Sequence, residues 1–328
     1  MRTQPNISAS HSRSKLVKKA VRESIVWAAM LLPIALYGGC IFQRENRIPV
    51  AQQPLFQGVT YRRLVEEKPR PYVVHLFELD LTASGLRPFV TAAVPEAPVI
   101  NQKGQPLVTQ AERTASFLKK NNLQLAVNAN FFYPFEEISP WNYEPEEGDL
   151  TAVVGVSISD GDIISPAHPR YSALCFSEDS SNATSAEIVW QKDCPLGTQQ
   201  AVSGQPLWIQ DESPPVEMAF VADKLKSKKA YPLTLAALNN TGDRLWLLIS
   251  DGKQPLYSEG MTIKEASVVL KSLGATTALQ LDGGGSSTAV IEGETGPEII
   301  NAVIHAKIPG NERPVANNLG FYAKPLEP

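Results

Sequence analysis

Apolar positions fall into one long run followed by many short ones. The run is 25–42, eighteen residues with no charge, only just enough to cross a bilayer once. Beyond it, Val73, Val74, Leu76, Phe77, Leu79 and Leu81 predict a strand pair with one buried face, and 89–94 predicts a second strand. Residues 109–121 read as a helix with Thr109 as N-cap and Glu112 three positions later. A buried strand over 123–128 leads into Asn128-Ala129-Asn130-Phe131-Phe132. Asp160-Gly161 predicts a hairpin turn between 153–159 and Ile163-Ile164. Residues 201–209 read as a strand kinked at Gly204, and 233–238 with 244–250 as a hairpin. Thr262 and Glu265 form a capping box opening a helix with apolar Ile263, Ala266, Val269, Leu270 and Leu273, closed by Gly274. Short strands over 278–281 and 288–291 flank a glycine turn. Many short strands with few helices predict an α+β class: a strand-rich mixed sheet core with a few packed helices, preceded by an N-terminal membrane segment.

Charge then divides the chain. Residues 1–45 carry seven Lys/Arg and two Glu, +5, which leaves −9 for the rest of a chain whose net charge is −4. A basic flank before the apolar run places the N-terminus in the cytoplasm and the body outside, in the cell envelope or periplasm. The expected organisation is a basic cytoplasmic tail over 1–24, a signal anchor or lipoprotein signal over 25–42, a proline-bearing linker over 43–70 and one domain over 71–325. The anchor reading is preferred, because Tyr37 stands where a lipobox before Cys40 has leucine. An acidic body argues against nucleic acid as partner. Export permits disulfides, and Cys175 and Cys194 are the only cysteines outside the apolar run. They predict a bridge, the alternative being two reduced buried thiols.

Candidate chemistry centres on Asp282-Gly283-Gly284-Gly285-Ser286-Ser287-Thr288. Three glycines allow a sharp turn whose amides can converge on an anion, and the hydroxyls add donors. The plain alternative is a flexible Gly-Ser hairpin loop. Asn128 and Asn130 suit sugar contacts or, equally, a turn. The acidic loop 134–149, with Trp141, Tyr143, Glu144, Glu146 and Glu147, suits a sugar-facing lid or a Ca²⁺ site; a solvated loop with Trp141 tucked beneath it is the alternative. His75 reads as structural. No zinc spacing is present, no cofactor is required, and Ca²⁺ remains open.

The order of motifs resembles the phosphodiester glycosidase family, typified by the N-acetylglucosamine-1-phosphodiester α-N-acetylglucosaminidase called the uncovering enzyme. The resemblance rests on Val127-Asn-Ala-Asn-Phe-Phe132, Gly204-Gln-Pro-Leu207, Ser250-Asp-Gly252, Gly260-Met-Thr-Ile-Lys-Glu265, Leu281-Asp-Gly-Gly-Gly-Ser-Ser-Thr288 and Glu312-Arg-Pro-Val-Ala-Asn-Asn-Leu-Gly320. It implies an exported hydrolase of a sugar–phosphodiester bond, on envelope or exopolysaccharide glycans. In that reading Asp282 is nucleophile or base and Asp251 the second carboxylate. Arg313 clamps the phosphate, with Glu312 beside it. Gly284, Gly285, Ser286 and Ser287 supply donors, and Asn128 and Asn130 hold sugar hydroxyls or an acetamide. The chain departs from the pattern at Leu233, where family members often carry arginine, at Ala129 and Asn130, where glycines are usual, and after Asn301, where an arginine often follows. A catalytically inactive glycan-binding envelope protein, or a structural one, is the rival expectation.

Overall fold

A computed structural model describes residues 8–42, 47–95, 97–101, 104–139, 141–178, 183–207, 209 and 227–327. The chain divides into two units, 1–44 and 45–328. The first is the helix Ser8–Phe42, within which Val21–Gly39 is long and apolar enough to cross a membrane.

The second unit is strand-rich, as its short apolar runs predict, and every recorded strand pair is antiparallel. The large sheet has eleven strands. Its middle runs Tyr72–Asp80, Arg244–Ser250, Leu233–Leu238, Thr277–Gln280 and Gln200–Leu207. A five-stranded sheet has Ala289–Gly293, Leu125–Asn128 and Asn318–Tyr322 at its centre. Phe77, Leu247 and Leu279 of the large sheet share one core with Val127, Leu319 and Phe321 of the smaller one. The outer face of the large sheet packs Leu235, Trp246 and Leu248 against Ala266 and Leu270 of the helix Ile263–Ser272. The outer face of the smaller sheet packs Ala126 and Val290 against Phe117 and Leu118 of the helix Thr114–Asn121. The result is four layers, helix–sheet–sheet–helix, in which each fully buried Leu or Phe contributes about 1.5–3 kcal/mol.

Covering on both sides explains where the simple alternation fails. Leu233–Leu238 is buried at every position, and Tyr72–Asp80 is buried on both faces through its middle, where one buried face was expected. The expected linker over 43–70 is also corrected. Val50–Phe56 and Val59–Glu66 are strands that extend the large sheet, because Val59, Tyr61 and Arg63 alternate inward. Pro54 is tolerated there because its strand is an edge strand. The helix expected from Thr109 begins only at Thr114, and the strand expected over 89–94 is Arg87–Val90. Thr109 is instead fully buried in a short strand, its hydroxyl 3.0 Å from that of Thr151.

Other local signals hold. The capping box closes, with Glu265 N–H donating to Thr262 Oγ1 at 3.2 Å and Thr262 N–H donating back to Glu265 Oε2 at 2.8 Å. Cys175 and Cys194 form the disulfide. The kink at Gly204 marks a change of partner: its strand pairs with Ser172–Glu178 up to Gly204 and with Thr277–Gln280 from Gln205. A Cβ at Gly204 would lie 2.6 Å from the Gln280 carbonyl oxygen, so only glycine admits that approach.

Candidate active site at the seam of the two sheets

The segment 281–288 carries the chain from one sheet to the other. It leaves Thr277–Gln280 in the large sheet and enters Ala289–Gly293 in the smaller one, so the glycine turn is a crossover and not a hairpin loop. The Asp282 amide donates to the Ala129 carbonyl at 2.8 Å, which fixes the aspartate between the sheets. The turn tightens into one 3₁₀ turn, Gly284–Ser286. Gly284 takes the left-handed region, φ +69°, with the Tyr231 hydroxyl 2.9 Å from where its Cβ would be. A Cβ at Gly285 would meet Arg313 Nη2 at 2.6 Å.

Donors of the turn face its own carboxyl. Gly283 N–H donates to Asp282 Oδ1 at 2.9 Å, and the Ser286 hydroxyl hydrogen-bonds the same carboxyl. Gly284 N–H donates to the Pro232 carbonyl and Ser286 N–H to that of Gly283. Of the amides expected as a substrate nest, at Gly284, Gly285 and Ser286, that of Gly284 is thus taken by Pro232 and that of Ser286 by Gly283. Burial pushes the Asp282 carboxyl above its ordinary value, against the opposing pull of Ser286, Arg313 and Gly283. The residue keeps part of its surface open to solvent.

Arg313 joins this carboxyl through one hydroxyl. Its Nη1 donates to Ser286 Oγ at 3.1 Å, its Nε to His305 Nδ1 at 3.1 Å, and its Nη2 to Glu137 Oε2. Arg313 Nε can only donate, so His305 Nδ1 accepts and the ring proton sits on Nε2. Burial, then Arg313, drops His305 to about 4, so its ring is neutral at physiological pH. Its Nε2 is buried and finds no partner among the described residues, as do Ser287 Oγ and Thr288 Oγ1.

The acidic loop is a small hairpin, Glu136–Ser139 with Asn142–Glu144, placed over this guanidinium. Phe135 lies 4.6 Å from Arg313 Cζ, and Tyr143 packs edge-on against His305 at 4.4 Å between ring centroids. Trp141, far from being tucked beneath, is 88% exposed at the hairpin's end. Glu147 pairs with Arg113 and accepts from Ser116, and among the described residues no cluster of three His, Cys, Asp or Glu side chains is set to hold a metal.

Several expected ligand contacts have internal duties. Asn128 Nδ2 donates to the Asp282 carbonyl at 2.6 Å, while its Oδ1 accepts from Thr234 Oγ1 at 2.9 Å and Thr288 N–H at 3.1 Å. Asn130 donates to the Val154 and Val156 carbonyls and accepts from Ser203 N–H. Both amides are buried, so they position the site and do not reach for sugar. Glu312 turns to the helix Thr114–Asn121, where its Oε1 accepts from Ala115 N–H at 3.0 Å. Burial raises it to about 7.

Asp251 is likewise enclosed. Its Oδ1 accepts from Ala302 N–H at 2.8 Å and its Oδ2 from His75 Nε2 at 3.1 Å, with Tyr61 hydroxyl 2.9 Å from His75 Nδ1. No described bond joins it to Asp282, and its side chain is fully buried, held by Ala302 and His75. The sequence assigns no role to His305 or Glu137. Nothing in the residues around them marks a contact with Arg313; only the fold brings the three together.

Asp282 therefore stands at the crossover between two antiparallel sheets, hydrogen-bonded to Ser286, which in turn accepts from Arg313. The phosphodiester glycosidase family model (NAGPA) matches residues 121–322, and the chain belongs to that family. The catalytic domain of zebrafish N-acetylglucosamine-1-phosphodiester α-N-acetylglucosaminidase, solved in a form auto-inhibited by its pro-peptide, shares the fold. It is 17% identical at a TM-score of 0.54, covering 83% of this chain and 85% of that one. A Burkholderia pseudomallei protein described as exported is 15% identical at a TM-score of 0.51, over 77% of this chain and 74% of that one. No curated protein sequence matches.

Proposed function

We propose that the chain hydrolyses the sugar–phosphate bond of a glycosyl-1-phosphodiester, an envelope or exopolysaccharide glycan, outside the cytoplasm, with Asp282 as the reacting carboxylate. One observation carries the reading: in a phosphodiester glycosidase, the aspartate at the crossover keeps part of its residue surface open, its carboxyl is raised by burial, and that carboxyl is oriented by Gly283 and Ser286. Breaking the anomeric C–O bond builds positive charge on the sugar, which a carboxylate there would stabilise. Water supplies the new anomeric hydroxyl, and the phosphate leaves as a monoester with its own oxygen. That leaving group is stable as an anion, so protonation by a second carboxyl contributes little, in keeping with the enclosure of Asp251. The basic flank and the span Val21–Gly39 support a membrane-anchored body on the outer side.

The test is incubation of the full-length protein in detergent with a panel of sugar-1-phosphodiesters, with and without chelator. Release of free sugar by the parent, reduced about 10²–10⁴-fold in Asp282→Asn with its circular dichroism intact, is expected. Equal turnover by that variant would remove Asp282 from the chemistry. Binding of sugar phosphate with no hydrolysis would select the glycan-binding alternative.

A further inference from the structure

Arg313 is a poor receiver for an incoming phosphate. It is 4% exposed, its guanidinium bonds three partners, and Glu137 already balances its charge. Any anion on the substrate therefore needs another cation, and the surface beside the turn supplies two. Lys253 Nζ lies 4.7 Å and Lys229 Nζ 5.1 Å from the centroid of the same ring, that of Tyr231. Both lysines are exposed, and no carboxylate among the described residues pairs with either. Two ammonium groups held on one ring, neither in an ion pair among the described residues, offer a place for an anion.

The ring itself is anchored. Tyr231 exchanges both backbone bonds with Met261, at 3.0 and 3.1 Å, and Gly260 is bare against its backbone, where a Cβ would come within 2.5 Å. Its hydroxyl lies 2.9 Å from where a Cβ on Gly284 would be, so the ring borders the turn that holds Asp282. Lys253 is itself held at φ +56°, in the left-handed region, directly after Gly252. Its field also reaches both Asp282 and His305. Nearby, His305 Nε2–H and the Ser287 hydroxyl are buried donors with no partner among the described residues.

We propose that Lys253 and Lys229, gathered over Tyr231, form a phosphate-binding shelf beside the Asp282 turn that receives the leaving side of the phosphodiester. The inference rests on the reading of the chain as a phosphodiester glycosidase and assigns to the two lysines the role that Arg313 is too enclosed to fill. They select the substrate and do not take part in bond breaking.

The experiment uses the full-length protein in detergent and two substrates with the same sugar, a glycosyl-1-phosphodiester and an uncharged aryl glycoside. The preference in kcat/KM for the phosphodiester is expected to fall about tenfold in Lys253→Gln and further in the double Lys229→Gln/Lys253→Gln variant, mainly through KM, and to recover in Lys253→Arg. An unchanged preference overturns the shelf while leaving the hydrolase reading intact. If the parent hydrolyses neither substrate, binding of inorganic phosphate followed by ³¹P NMR decides the matter separately: loss of binding in the double variant sustains the shelf, and equal binding removes it.

Discussion

Arg313 rests on Gly285, its Nη2 2.6 Å from the position a Cβ would occupy. The third glycine of the turn is thus required for side-chain room, since the guanidinium fills the space. Gly285→Ala should displace Arg313, uncouple Ser286 and lower stability by about 1–3 kcal/mol. Thermal melting beside the hydrolysis rate checks it; an alanine variant as stable and active as the parent would show that the guanidinium is free to move aside.

Glu137 balances Arg313 from the hairpin above it. Removing that carboxylate in Glu137→Ala leaves a buried cation without its counter-charge, so an anion should bind more readily. Calorimetry with inorganic phosphate is expected to give tighter binding than in the parent. Weaker or equal binding would mean that the hairpin closes the guanidinium off from solvent by its aromatic residues alone.

Glu312 gives a pH signature. Its carboxyl rises from an ordinary 4.5 to about 7 by burial, so the folded state holds the proton more firmly than the unfolded chain. The stabilisation is complete below pH 4.5 and is lost as pH rises through about 7, an effect on the order of 3 kcal/mol. His305 works in the opposite direction, since its value falls from 6.5 to about 4 and its contribution is lost as pH drops across that range. The two offset each other in the parent. The difference in melting temperature between the parent and Glu312→Gln, followed from pH 4 to 8, should therefore isolate the glutamate, with the variant gaining on the parent as pH rises. A flat difference would place the carboxyl in solvent.

The disulfide closes a separation of 19 residues. Replacing both cysteines by alanine should cost about 3 kcal/mol, read from denaturant unfolding of the oxidised parent and the variant. An equal midpoint would show that the strands Ser172–Glu178 and Thr184–Val189 hold that loop unaided.

The sequence carried the local signals and not the long-range ones. Thr262 with Glu265, Asp160-Gly161 and the buried run 233–238 each have a short-range cause, and each formed as the pattern predicts. The neighbourhood of Asp282 and Arg313 was legible only through the resemblance, because 31 positions in sequence separate them. What failed were assignments of direction. Asn128, Asn130, Asp251 and Glu312 are residue types that suit a ligand, and a linear pattern does not say that each bonds groups of the chain itself. The strands over 50–66 were hidden by prolines and charges, since an edge strand with one wet face scarcely differs in composition from a linker.

Asn128 ties three places together: the large sheet through Thr234, the entry to the smaller sheet through Thr288, and the carbonyl of Asp282. Catalysis would then be hostage to the alignment of the two layers. A slip between them too slight to melt either would already misaim the carboxylate, so heating should silence the protein some degrees before it unfolds.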